Sequence, residues 1–168
     1  MVDSFKFLPR LIATFYQMTE REPALPIPWT AVSKPVNACK FGLLTSAGLY
    51  HKGEERPFDT HREKTEPEWG DPTYRVIPQA SHRNDIGISH LHLNTADLAQ
   101  DVNIQLPLDR FQELADKGDI GGIATNHISV MGYQGFPPDA TVWTTTYGPE
   151  IAMRFKAEGV DCVLLTTA

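Results

Sequence analysis

Gly159-Val-Asp-Cys-Val-Leu-Leu-Thr-Thr-Ala168 decides the fold. Gly159 reads as a helix stop, and Val160 to Thr166 as an apolar run rich in strand formers. Such a run suits a parallel strand buried on both faces. Working groups in open α/β sheets sit just past the carboxyl ends of strands. The expectation is that a nucleophile lies directly after Ala168, with the hydroxyls of Thr166 and Thr167 as support. Plain strand propensity also accounts for the two threonines.

Outward from this stretch, Pro149 opens a helix with Ile151, Ala152 and Phe155 facing inward. Lys40 to Tyr50 reads as a buried strand ending in a turn of small residues. Ile86 to Leu93 alternates and reads as a second strand, followed by a turn at Asn94-Thr-Ala-Asp-Leu98 with room for one helical turn after it. Pro107 opens a helix with Leu108, Phe111, Leu114 and Ala115 inward and Gly118 as its stop. Ile123 to Met131 offers one or two short strands, and Tyr74 to Ile77 another. Lys52 to Arg75 is charged with mixed signs and is predicted as an exposed loop or hairpin. The predicted fold is α/β, a mainly parallel sheet flanked by helices. It is doubly wound in the flavodoxin or Rossmann manner and incomplete at the C-terminus. Residues 1–20 form an N-terminal helix with Leu8, Leu11, Ile12, Phe15 and Tyr16 on one face. Residues 21–38 form a Pro-rich extended segment that Trp29 pins, and residues 39–168 form the α/β domain.

A length of 168 residues suits one real core, and 41% hydrophobic with 21% charged residues argues against disorder. A net charge of −6 disfavours nucleic acid as a partner. No apolar run is long enough to span a membrane, and the first residues lack a signal-peptide pattern, so the cytoplasm is the default. Cys39 and Cys162 lie far apart in sequence and outside any CxxC pair. Both are expected as packed thiols rather than a disulfide.

Five groups of residues could carry chemistry. His90 and His92 share a face if they lie on a strand, which suits a metal, with Asp97, Asp101 or His127 as a third ligand. No third ligand has a fixed spacing, and two hydrogen-bonded imidazoles that orient loops near a sheet edge are the simpler explanation. Thr45-Ser-Ala-Gly48 after a strand suits an anion held by backbone amides, with His51 and Lys52 available to a carboxylate. The plain alternative is a strand-to-loop turn with a solvated lysine. The stretch lacks both the Walker and the GxGxxG patterns, which disfavours nucleotides. Asn103 is a candidate buried anchor, while Asp109, next to Arg110 in a first helical turn, is explained by the helix dipole. His127 reads as a satisfied packing residue, and Met131-Gly132 as the place where a ligand or backbone approaches closely. Thr166 and Thr167 complete the set.

Val160 to Ala168 resembles the segment before the active site in the selenoprotein B family of glycine, sarcosine, betaine and D-proline reductases. Thr45-Ser-Ala-Gly-Leu-Tyr-His-Lys-Gly53, Pro57-Phe-Asp59, Gly70-Asp-Pro-Thr-Tyr-Arg-Val-Ile-Pro78 and Ser89-His-Leu-His92 also resemble family segments. So do Asp101-Val-Asn-Ile104, Pro107-Leu-Asp-Arg110, Phe111 to Leu114, His127, Met131-Gly132 and Gly148-Pro-Glu-Ile-Ala152, in the same order. The resemblance spans about Trp29 to Ala168. It implies an oxidoreductase subunit whose strand runs into a selenocysteine, or a cysteine, followed by two residues and a cysteine. It implies a partner subunit with a pyruvoyl group, reductive cleavage of a C–N bond, and a thioredoxin-like dithiol donor. On this reading the gene is cut at its selenocysteine codon; the alternative is a genuinely short paralogue. The 168-residue form is then inactive and inclined to self-associate through the uncovered last strand. The competing readings are a non-catalytic binding or scaffold module of the same fold, and a metal-dependent hydrolase or isomerase using His90, His92 and His127.

Overall fold

β1 (Lys40–Thr45) is the axis around which the other strands are arranged. The computed structural model describes Arg10, Thr14 and residues 30–91, 93–135 and 138–167. The chain divides into two compact units, Met1–Ala31 and Val32–Ala168. In the first, Arg10 and Thr14 are helical and the Thr14 hydroxyl donates to the Arg10 carbonyl. The apolar face predicted for the first helix, and Trp29, lie outside the described residues. Thr30 to Pro35 has no regular structure.

In the second unit β7 (Cys162–Thr166) runs parallel to β1 on one side, from Phe41 opposite Cys162 to Thr45 opposite Thr166. The other side of β1 is shared by two parallel strands. β5 (Gly122–Ile123) pairs with Lys40 and Phe41, and β6 (Asn126–Val130) pairs with Leu44 and Thr45. β3 (Tyr74–Pro78) lies beyond β6 and is antiparallel to it, so the sheet is mixed but mostly parallel. β2 (Leu49–His51) and β4 (Ile86–Ile88) form a separate antiparallel pair.

Among the described residues of this unit, four α-helices accompany these strands: α1 (Thr60–Thr65), α2 (Thr95–Gln100), α3 (Leu108–Lys117) and α4 (Gly148–Ala157). The two longest cover opposite faces of the sheet. A Cβ at Gly42 would stand 2.5 Å from Cε1 of Phe155, so α4 rests directly on β1 there. Phe41, on the other face, meets Phe111 of α3 with ring centroids 5.5 Å apart. Leu43, Ala47, Leu49, Ile77, Leu106 and Leu108 form the core on the α3 side. Ile128, Val130, Ile151 and Phe155 form a second cluster under α4. The α/β prediction therefore holds, with helices on both faces of the sheet.

Helix ends follow local chemistry. Gly118 adopts φ 77°, and its amide together with that of Asp119 caps the carbonyls of Ala115 and Leu114. Gly159 adopts φ 71° after α4, which has proline in its first turn. The turn predicted at Asn94 is a capped helix, since the Asn94 side chain accepts from the Ala96 amide at 3.1 Å.

Several expectations need correction. The charged Lys52–Arg75 stretch contains α1, started by Asp59 accepting from the Arg62 amide at 2.9 Å. That helix carries no apolar stripe, so periodicity gave no warning of it. Ala152 is exposed, because α4 turns only Ile151 and Phe155 inward. The strand predicted over Ile86–Leu93 ends at Ile88, where its partner strand begins at Leu49. β7 is covered on one face only: Val163 and Leu165 are 39% and 65% exposed. Cys162 opens β7 rather than lying in its middle and is half-buried.

Candidate functional site

The parallel strands β1, β6 and β7 end at the same edge of the sheet, which gathers Thr45, Ser46, Gly48, Met131, Gly132, Thr166 and Thr167. Small residues allow the close packing found there. The Ser46 amide donates to the Thr166 carbonyl at 3.0 Å, and the Gly48 amide to the Val130 carbonyl at 3.0 Å. Ala47 bridges to Met131 in antiparallel fashion. Gly48 has φ 64°, and a Cβ there would lie 2.3 Å from the Ser89 carbonyl oxygen and 2.7 Å from Met131 Sδ. No other residue type fits that position.

This packing overturns the anion-nest expectation for Thr45–Gly48. All three turn amides already donate within the fold, that of Ala47 to the Thr45 hydroxyl at 3.3 Å. Thr45 is fully buried and serves the turn. Thr166 turns its hydroxyl inward, donating to the carbonyls of Gln105 and, at 3.3 Å, of Leu44. Its neighbour Thr167 is exposed, as is Gly132, and Ser46 is half-buried. Met131 is 2% exposed, and its carbonyl accepts from the Gln134 side chain at 2.8 Å. Among the described residues named here, the edge presents hydroxyls and backbone but no ionisable side chain.

The remaining candidates are elsewhere. Lys52 follows β2 and donates its ammonium to the Asn84 carbonyl at 3.0 Å. It borders a separate cavity of about 320 Å³ with Tyr50, Arg83, Ile86 and Leu98. His51 faces Glu54 at 3.8 Å. Asn103 is half-buried and acts on α3: its side-chain oxygen accepts from the Asp109 amide at 2.9 Å, and its amide group donates to Asp101 and Asp109. The two aspartates and the asparagine therefore form a helix-start network, not a buried anchor. In the same network, hydrogen bonds from the side chain and then the backbone of Asn103 hold the Asp101 carboxyl below its usual range.

His90 lies past the end of β4 and is half-buried, so the strand on which the shared-face argument rests does not reach it. His92 is outside the described residues. His127 is closed to any ligand. It is fully buried on β6, its Nδ1 accepts from the Leu43 amide at 3.1 Å, and its Nε2 donates to Gln79 Oε1 at 2.7 Å. The imidazole thus stands in for a backbone partner where β5 gives way to β6 beside β1. Burial lowers its pKa to about 4, against a smaller opposing pull from Glu158. The neutral ring, protonated on Nε2, is what the two hydrogen bonds require. No group of three or more His, Cys, Asp or Glu side chains able to hold a metal occurs among the described residues.

Sequence reasoning missed Ser129, whose buried hydroxyl accepts from the Leu49 amide at 2.7 Å and ties β2 to the main sheet. A serine inside the apolar run Ile128-Ser-Val-Met131 was the available signal. Gln79 and Gln105, which orient His127 and Thr166, carried no signal because their roles depend on contacts distant in sequence. Among the described residues no helix is long and apolar enough to cross a membrane.

Comparison with known proteins bears on the same edge. Residues 12–168 match the family described as glycine/sarcosine/betaine reductase selenoprotein B. The D-proline reductase subunit gamma of Acetoanaerobium sticklandii is 37% identical over 145 residues. That alignment covers 86% of this chain and 55% of the relative, so the chain spans about half the length of the curated protein it matches. No solved structure matches.

Proposed function

The chain belongs to the glycine/sarcosine/betaine reductase selenoprotein B family, and we propose that it is the front part of a reductase subunit whose nucleophile follows Ala168. The observation that carries this reading is the alignment together with the sheet edge. Three strands deliver small and hydroxyl residues to one place, yet none of the site residues named there can act as a redox nucleophile. In the full-length form that nucleophile is a selenocysteine, or a cysteine, which would attack carbon and displace a C–N bond. Ser46, Gly132 and Thr167 stand at the open part of this edge, where small side chains leave room for such a group. Thr166 contributes by position, since its hydroxyl and carbonyl hold the end of β7 against β1 and Gln105.

The substrate is an amine or amino acid of the glycine, sarcosine, betaine or proline type. A pyruvoyl-containing subunit and a dithiol donor complete the reaction, and the protein works in the cytoplasm. The relative matched over 55% of its length is longer than this chain, and the proposal is that the coding sequence continues through a UGA codon. Reading the nucleotides after codon 168 tests this: UGA followed by homologous coding sequence is expected. UAA or UAG with no homologous sequence beyond it overturns the reading. Assayed with dithiothreitol as donor, the 168-residue chain should not reduce any of these substrates. An extended chain with cysteine at the first added position should show activity once its partner subunit is present.

A further inference from the structure

The two cysteines, far apart in sequence, meet at the edge of the sheet opposite the candidate site. Phe41 pairs with Cys162 across the β1–β7 ladder. Side chains alternate along strands, so Cys39, two residues before Phe41, shares a face with Cys162 and sits one diagonal step from it. The intervening pair is clamped: the Asp161 amide donates to the Lys40 carbonyl at 2.9 Å, and the Lys40 amide to Asp161 Oδ2 at 3.0 Å. Lys34 closes the clamp with an ion pair to Asp161 at 2.7 Å. We propose that Cys39 and Cys162 form a reversible disulfide that staples β7 to β1 at the amino edge of the sheet.

Cys39 has no solvent exposure, and its thiol donates weakly to the carbonyls of Pro35 and Lys34 at 3.4 and 3.7 Å. Burial first, and the Cys162 thiol beside it second, hold its pKa above the usual range. The first attack therefore belongs to the part-exposed Cys162. With a low-molecular-weight disulfide as oxidant, Cys162 loses its proton and attacks one sulfur, expelling one thiol and leaving a mixed disulfide. Cys39 then loses its proton, attacks the Cys162 sulfur and expels the second thiol. Two electrons pass to the oxidant, which leaves as two thiols. A disulfide needs α-carbons within about 7 Å, near the limit for diagonal neighbours. Cys39 lies before the first residue of β1, so it can close the difference without breaking a rung of the β1–β7 ladder.

The test equilibrates the purified 168-residue chain with glutathione at graded ratios of disulfide to thiol and measures intact mass and melting temperature. The expected product has lost two hydrogens, carries no glutathione, labels with no maleimide, and melts roughly 5–15 °C higher than the reduced chain. Dithiothreitol reverses each change, and Cys162→Ser abolishes them all while leaving the partly exposed strand start folded. Cys39→Ala serves as the second variant, retaining a glutathione adduct on Cys162 that it cannot resolve. Two thiols that still label at the most oxidising ratio overturn the proposal. So does a glutathione adduct that persists on Cys162 in the unmutated chain, or a disulfide formed only between molecules.

Discussion

β1 and β7 lie side by side in perfect register yet occupy different worlds. Leu43 and Thr45 of β1 are fully buried, with α3 on one face of the strand and α4 on the other. β7 has an equally apolar sequence, but only the face bearing Cys162, Leu164 and Thr166 is sheltered, and Leu165 is 65% exposed. The apolar sequence of β7 thus suits a strand covered on both faces, whereas one of its faces is bare. Such a bare face is where added chain, or a second protein, has apolar area to gain.

The sharpest way to break this contrast is a matched pair of truncations. Leu43→Ala should cost about 3 kcal/mol in denaturant titration, whereas Leu165→Ala should stay within roughly 0.5 kcal/mol. Equal losses would mean that β7 is covered after all. Acid should come next, acting on the side of β1 away from β7. His127 binds a proton near pH 6.5 when unfolded but only near 4 when folded. Its contribution is undiminished above pH 6.5 and falls by up to about 3 kcal/mol as the pH drops from there to 4. Ring chemical shifts followed by NMR should show His127 still neutral at pH 5.5, and an imidazolium at that pH would refute the hydrogen-bonded role assigned to it.

Gly42→Ala probes the face that α4 covers. The new methyl would meet the Phe155 ring, and a loss of about 1–3 kcal/mol is expected, partly recovered with Phe155→Leu. The smallest effect on stability is the most informative about β7. Leu165→Lys should leave the melting temperature of the 168-residue chain within a degree or two while reducing self-association in sedimentation. The same change in an extended chain that covers β7 should destabilise it clearly.

What was legible in the sequence shares a cause with what was not. Helices α3 and α4 announced themselves through proline at the start, apolar spacing along one side and glycine at the end, all signals local to the chain. Thr45, Ser46, Met131 and Thr166 were each legible as candidates at strand ends, but their meeting at one edge depends on the order of β1, β6 and β7, which no local pattern carries. α1 was hidden because it has polar residues all round and depends on one aspartate cap. The fate of His90 was hidden because β4 stops where its partner β2 begins, just after Gly48 and about forty residues earlier in the chain. The inward turn of Thr166 was hidden too, since its partner Gln105 belongs to a different part of the chain. Pairing between distant segments is what local pattern cannot supply.

Gly48 deserves a different weight from the polar residues around it. Its amide joins the Val130 carbonyl, its carbonyl receives the Ser89 amide, and no side chain fits between Ser89 and Met131. A single achiral residue is therefore, beside the Ser129 hydroxyl, a rivet between the main sheet and the β2–β4 ribbon. Evolution could rebuild the chemistry of this edge many times and still be unable to change that position. Invariance there across relatives would record carpentry, and carries no information about what is bound or transformed.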